Sequence, residues 1–89
     1  MNLLGGIIEF DTDLSTVGCS CLTALYTVTM PGKKNTGDPM YYCDAHAVAG
    51  DYCPEFDIME ANMYAFREVG HTCDAPDSNG IFPMCDFNG

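Results

Sequence analysis

The sequence predicts a small, mainly β domain stapled by disulfides, and three observations carry that expectation. Apolar and polar residues alternate with period two along Ile7 to Leu14 and again along Leu22 to Met30, the pattern of half-buried strands. Six cysteines, Cys19, Cys21, Cys43, Cys53, Cys73 and Cys85, sit in only 89 residues, an even number in a short chain. Clusters of Gly, Pro, Asn and Asp punctuate the segments between. A chain of this size forms one domain over residues 1–89 and buries only roughly 60 to 65% of its unfolded surface, so covalent staples matter.

Taken in order, Ile8, Phe10, Thr12 and Leu14 alternate with Glu9, Asp11 and Asp13 and predict a first strand with one wet face. Leu22, Ala24, Tyr26, Val28 and Met30 alternate with Thr23, Leu25, Thr27 and Thr29 and predict a second. Pro31 and Gly32 end it, and Lys33 to Pro39 reads as a surface turn. Tyr41 to Asp44 is read as a short third strand. Gly50 and Pro54 bracket the approach to a strand over Glu55 to Asn62. Ala61 to Val69 holds residues a helix tolerates and is read as helical. From Gly70 the chain is loop-like, and Asp77-Ser78-Asn79-Gly80 reads as a turn, since the later Glu of a calcium loop is missing.

Composition excludes some partners. Thirteen acids against Lys33, Lys34 and Arg67 give a formal net charge of −10, which repels nucleic acid. No apolar run approaches the roughly 20 residues of a membrane span. The opening Met1 to Gly6 has neither the basic start nor the long apolar middle of a signal peptide. The cysteines favour an oxidising compartment, with fifteen pairings open in principle. Zinc is the competing use, but there is no C-x-x-C pair and the spacings do not match zinc ribbons.

The chemistry-bearing segment is Glu55-Phe56-Asp57-Ile58-Met59-Glu60. Strict alternation puts Glu55, Asp57 and Met59 on one face and Phe56, Ile58 and Glu60 on the other. One residue bulged out between Asp57 and Glu60 returns Glu60 to the Glu55 face, with the two glutamates about 13 Å apart along the strand. Two long carboxylate side chains then converge, as retaining glycoside hydrolysis requires of a nucleophile and a proton donor about 5 to 5.5 Å apart. Acids alternating on a strand are otherwise an ordinary solvated face.

The hexamer continues as E-F-D-I-M-E-A-N, which closely resembles the E-M-D-I-W-E-A-N signature of glycoside hydrolase family 7, the fungal-type cellobiohydrolases and endoglucanases. Further blocks follow in the family's order. V-G-C-S-C-L-T-A-L-Y from Val17 to Tyr26 is similar to a segment ending P-C-G-L-N-G-A-L-Y. Y-Y-C-D at Tyr41 to Asp44, V-G-H-T-C at Val69 to Cys73 and C-D-F-N at Cys85 to Asn88 each resemble a family block.

The resemblance implies a partial antiparallel β-sandwich of the jelly-roll, concanavalin-like type. It also implies retaining hydrolysis of β-1,4-glucan, cellulose above all, by a secreted enzyme without metal or organic cofactor. Glu55 would be nucleophile, Asp57 its partner and Glu60 the acid/base with a raised pKa, while Tyr26, Asp44 and His71 would line the sugar cleft. The family's bridges imply Cys43 to Cys53, and a second family bridge has lost both ends, at Ala47 and Tyr52; Cys73 and Cys85 are available to staple the loop-like end and are expected to pair.

Departures open another reading. The chain has no tryptophan, so the usual sugar-stacking platforms are missing. Met59, Leu22 and His46 replace the family's Trp, Asn and Gln, and the cleft-roofing loops are short. The alternative is a non-catalytic, disulfide-rich acidic β module that binds a glycan or is completed by a partner chain along its open sheet edges.

Overall fold

The structure is a computed structural model that describes residues 3–30 and 41–89. Three strands form one antiparallel sheet in the order β1-β2-β3: β1 is Thr23–Val28, β2 is Glu55–Ala61 and β3 is Phe66–His71. The fold is mainly β. The hexamer's strand forms at the centre of the sheet, where both neighbours satisfy its backbone. β1 falls within the second strand predicted. The turn expected at Lys33 to Pro39 lies outside the described residues.

Three expectations are corrected. Ile7 to Leu14 forms no strand, because no segment among the described residues offers it a hydrogen-bonding ladder, and Ile7 is 92% exposed. Tyr41 to Asp44 contributes only an isolated bridge from Asp44 to Tyr52. The helix over Ala61 to Val69 is instead a hairpin turn and β3. There the Asn62 Oδ1 accepts the N–H groups of Tyr64 (2.8 Å) and Ala65 (2.9 Å), and the Asn62 N–H donates to the Ala65 carbonyl at 3.0 Å. Such an Asx turn reverses the chain onto the free edge of β2, and ladder bonds then outweigh a weak helix propensity.

The two cross-strand registers define the faces. Ala24, Tyr26 and Val28 alternate on β1, so they share a face, and their partners on β2 are Glu60, Asp57 and Glu55. Arg67, Val69 and His71 share a face of β3, and their partners are again Glu60, Asp57 and Glu55. β2 carries one extra residue between Asp57 and Glu60 in both registers: Ile58 has no partner on β1, and Ile58 and Met59 together oppose Glu68 on β3. This bulge brings the three acids to one side.

The opposite face is apolar. Phe56 and Ile58 line a groove of about 260 Å³ with Leu3, Gly6, Ile8 and Thr27, which sets the irregular N-terminal segment against this side. Over the acid face lie the loop after Cys43 and the segment from Cys85 to Gly89. Disulfides Cys43–Cys53 and Cys73–Cys85 anchor both. Among the described residues the buried apolar side chains are few, Cys43, Ala45, Cys53, Met59, Ala61 and Cys85, and all but Met59 are small, so the staples take the place of a larger core. The radius of gyration is 14.7 Å, against about 12 Å for a compact chain of this length, and the molecule is correspondingly open.

Candidate active site

The acid face is built in three cross-strand rows. Val28, Glu55 and His71 form one row, Tyr26, Asp57 and Val69 the middle one, and Ala24, Glu60 and Arg67 the last. The acids therefore occupy successive rows, with Asp57 between the two glutamates.

Asp57 is 4% exposed, and its Oδ2 lies 3.1 Å from the Nε2 of His71, also 4% exposed. The other ring nitrogen, Nδ1, lies 2.7 Å from the Asp86 carbonyl. A carbonyl only accepts, so Nδ1 carries a proton; a second proton must then lie between Nε2 and Asp57. The pair thus holds a proton in a dry setting and fixes Asp57 beside Glu55.

Glu55 is half-buried, and its Oε2 accepts the Ala45 N–H at 2.9 Å. Burial pushes its carboxyl above the ordinary range; the Ala45 bond opposes this, and the charges of Asp57 and Asp44 reinforce it. Glu60 stands differently. Its Oε2 is buried and lies 2.6 Å from the Nε of Arg67, an ion pair without the alignment of a hydrogen bond. The two glutamates line separate concavities, Glu55 a largely apolar groove of about 670 Å³ and Glu60 a pocket of about 150 Å³.

Of the three residues expected to line a sugar cleft, Tyr26 alone faces solvent, at 39% exposure. Its hydroxyl meets that of Tyr42 at 2.8 Å. Asp44 is 4% exposed, and its Oδ1 accepts the N–H groups of His46 (2.9 Å) and Val48 (3.2 Å), so it organises a loop. His71 is buried against Asp57. Two residues enter the site without having been assigned a role from sequence. Tyr42 links Tyr26 to Asp44, and burial, followed by those two hydrogen bonds, pushes its phenol up. His46 packs edge-on to His71 at 5.2 Å and to Phe87 at 4.4 Å, with Nε2 3.1 Å from the Phe87 carbonyl. The doubled tyrosine before Cys43 was the visible signal for the first; for His46, only its substitution for the family's Gln set it apart.

Two endoglucanases of Humicola insolens resemble the chain along its whole length. Endoglucanase 1 is 29% identical over 120 aligned positions, and Endoglucanase EG-1 is 28% identical over 120. The alignments exceed the 89 residues of the chain, so the relatives carry insertions within the matched stretch. The chain spans 29% and 27% of the length of these relatives. No family profile matches it, and no solved structure does.

Proposed function

We propose that the chain is the catalytic-strand portion of a secreted glycoside hydrolase of the family 7 type, acting on β-1,4-glucan with retention of configuration. The bulge at Ile58 is the observation that carries this reading: it holds Glu55, Asp57 and Glu60 on one face in successive rows. The similarity to two endoglucanases supports it, as do the two disulfides, which form in oxidising compartments.

In this reading the Glu55 carboxylate attacks the anomeric carbon while Glu60 gives its proton to the departing glycosidic oxygen, leaving a glycosyl ester on Glu55. Glu60, now a carboxylate, takes a proton from water, whose oxygen displaces Glu55 from the same carbon. Asp57, clamped by His71, orients Glu55 and keeps it apart from Glu60. Arg67 leaves Glu60 when a sugar enters. Tyr26 contacts the sugar, and Asp44 positions Ala45, whose N–H holds Glu55.

The test is release of chromophore from an aryl β-cellobioside, with trapping by its 2-fluoro analogue. Turnover should fall by about a thousandfold or more in Glu55→Gln, and the trapped sugar should map to Glu55. Equal rates in the two proteins, or an adduct elsewhere, overturn the assignment. The incompletely covered apolar face favours a second reading, a non-catalytic glycan-binding or structural module completed by a partner chain; saturable binding of cello-oligosaccharide without turnover is its signature.

A further inference from the structure

We propose that Asp44, His46 and Glu55 form a seat for a divalent transition cation of the Zn2+ class. One ligand atom from each lies within 4.8 Å of the other two. Donors sharing one tetrahedral ion stand about 3.4 Å apart, so small side-chain adjustments close the set. Two carboxylates and a neutral imidazole supply two negative charges to a divalent ion.

The loop between the disulfide cysteines makes this arrangement. Cys43–Cys53 closes it at its base, the Cys53 N–H donates to the Asp44 carbonyl at 3.1 Å, and Asp44 bridges to Tyr52. Asp44 and the first residue of β2, Glu55, are thereby brought side by side, and His46 follows two residues after Asp44. Each ligand is oriented by other contacts: Asp44 by the His46 and Val48 amides and the Tyr42 hydroxyl, Glu55 by the Ala45 amide, and the His46 ring by the Phe87 carbonyl. An imidazole whose other nitrogen meets a backbone carbonyl is the usual surround of a metal-bound histidine.

Charge and access agree with this. Arg67 is the one Lys or Arg among the described residues, and it is engaged with Glu60; the positive group beside the cluster is His71, whose charge is met by Asp57. His46 is exposed and Glu55 half-buried, which leaves an entry path and an open position for water. A nitrogen donor and only three protein ligands select Zn2+ or Co2+ over Ca2+ and Mg2+, which require more oxygens. An ion seated here holds the carboxylate assigned as nucleophile, so it blocks hydrolysis; that consequence alone rests on the proposed function.

Cys19 and Cys21 are free, exposed thiols, and thiolates are competing zinc ligands in general, so the test uses the Cys19→Ser/Cys21→Ser protein, with both disulfides intact. Calorimetric titration with Zn2+ should show one site, and Mg2+ should give no comparable heat. His46→Gln should weaken Zn2+ by more than about 100-fold, and Co2+ should give a tetrahedral visible band that this variant loses. Thermal melts without metal check that the variant folds. If it does not, Glu55→Gln carries the same comparison. Zn2+ binding equal in parent and folded variant, or no binding to the parent, overturns the site. Failure of cellobioside hydrolysis without metal removes the proposed function and leaves the titration to decide the cation seat.

Discussion

Asp57 shows at the scale of one residue how the site is held. Its partner His71 is buried and spans from Asp57 to the Asp86 carbonyl, so truncating the acid strands an imidazole nitrogen away from water. Asp57→Ala should cost about 1 to 3 kcal/mol in denaturant unfolding, whereas a solvated aspartate would cost next to nothing. Asp77 gives a second residue-scale outcome. Its carboxylate accepts the N–H groups of Ile81 (2.9 Å) and Asn79 (2.8 Å), which hold its pKa below the ordinary 3.8. A depressed folded pKa contributes stability that is present above the unfolded value and lost as pH falls through the folded one. The loop between Cys73 and Cys85 should therefore loosen below about pH 4, and carbon-detected NMR titration of Asp77 should give a midpoint under 3.8. The turn at Asp77 was legible in the sequence, and the clamp of His71 on Asp57 was not. A turn aspartate and a surface histidine were the ordinary readings of Asp44 and His71, because burial depends on which distant segments fold over a residue.

Among the elements, β2 carries the argument. Its spare residue lets Glu60 pair with Ala24 and Arg67 on the face that Glu55 and Asp57 occupy. Deleting Ile58 should remove the bulge and leave both registers intact, so the chain should still fold. Deleting Glu68 from unbulged β3 should instead turn Val69 and His71 to the apolar face and break the contact with Asp57. Thermal melts should separate the two, with the Glu68 deletion unfolding at clearly lower temperature. A bulge between Asp57 and Glu60 was foreseeable, since strict alternation separates acids that the family chemistry needs together. β3 was not. Ala, Met, Phe, Arg and Glu permit a helix over Ala61 to Val69, and only the Asn62 turn and the waiting edge of β2 decide for a strand. Ile7 to Leu14 is the converse case, a strand pattern that found no pairing segment among the described residues.

At the scale of the molecule, an acidic surface is combined with an apolar face that is incompletely covered. Leu25, Phe56 and Phe66 lie on that side of the sheet at 37%, 50% and 62% exposure. A net charge of −10 keeps copies apart at low ionic strength, and salt screens that repulsion. Sedimentation velocity should therefore show self-association rising between low and high salt; a monomer at all salt concentrations would mean that the N-terminal segment already covers this face. The relatives, which are more than three times as long, have ample chain to cover such a face.

The order of residues alone determined that Glu55, Asp57 and Glu60 share one short segment, the mainly β character and the supply of cysteines, because period-two alternation and residue type are local properties. Tertiary structure decided the rest: that Ile58 is the residue left out of the ladder on β1, that His71 clamps Asp57, that Arg67 occupies Glu60, and that His46 comes to stand beside Asp44 and Glu55. Each of these depends on separate chain segments meeting, or on a register that neighbouring strands impose, and pairing free energy of that kind is written in no single stretch of sequence.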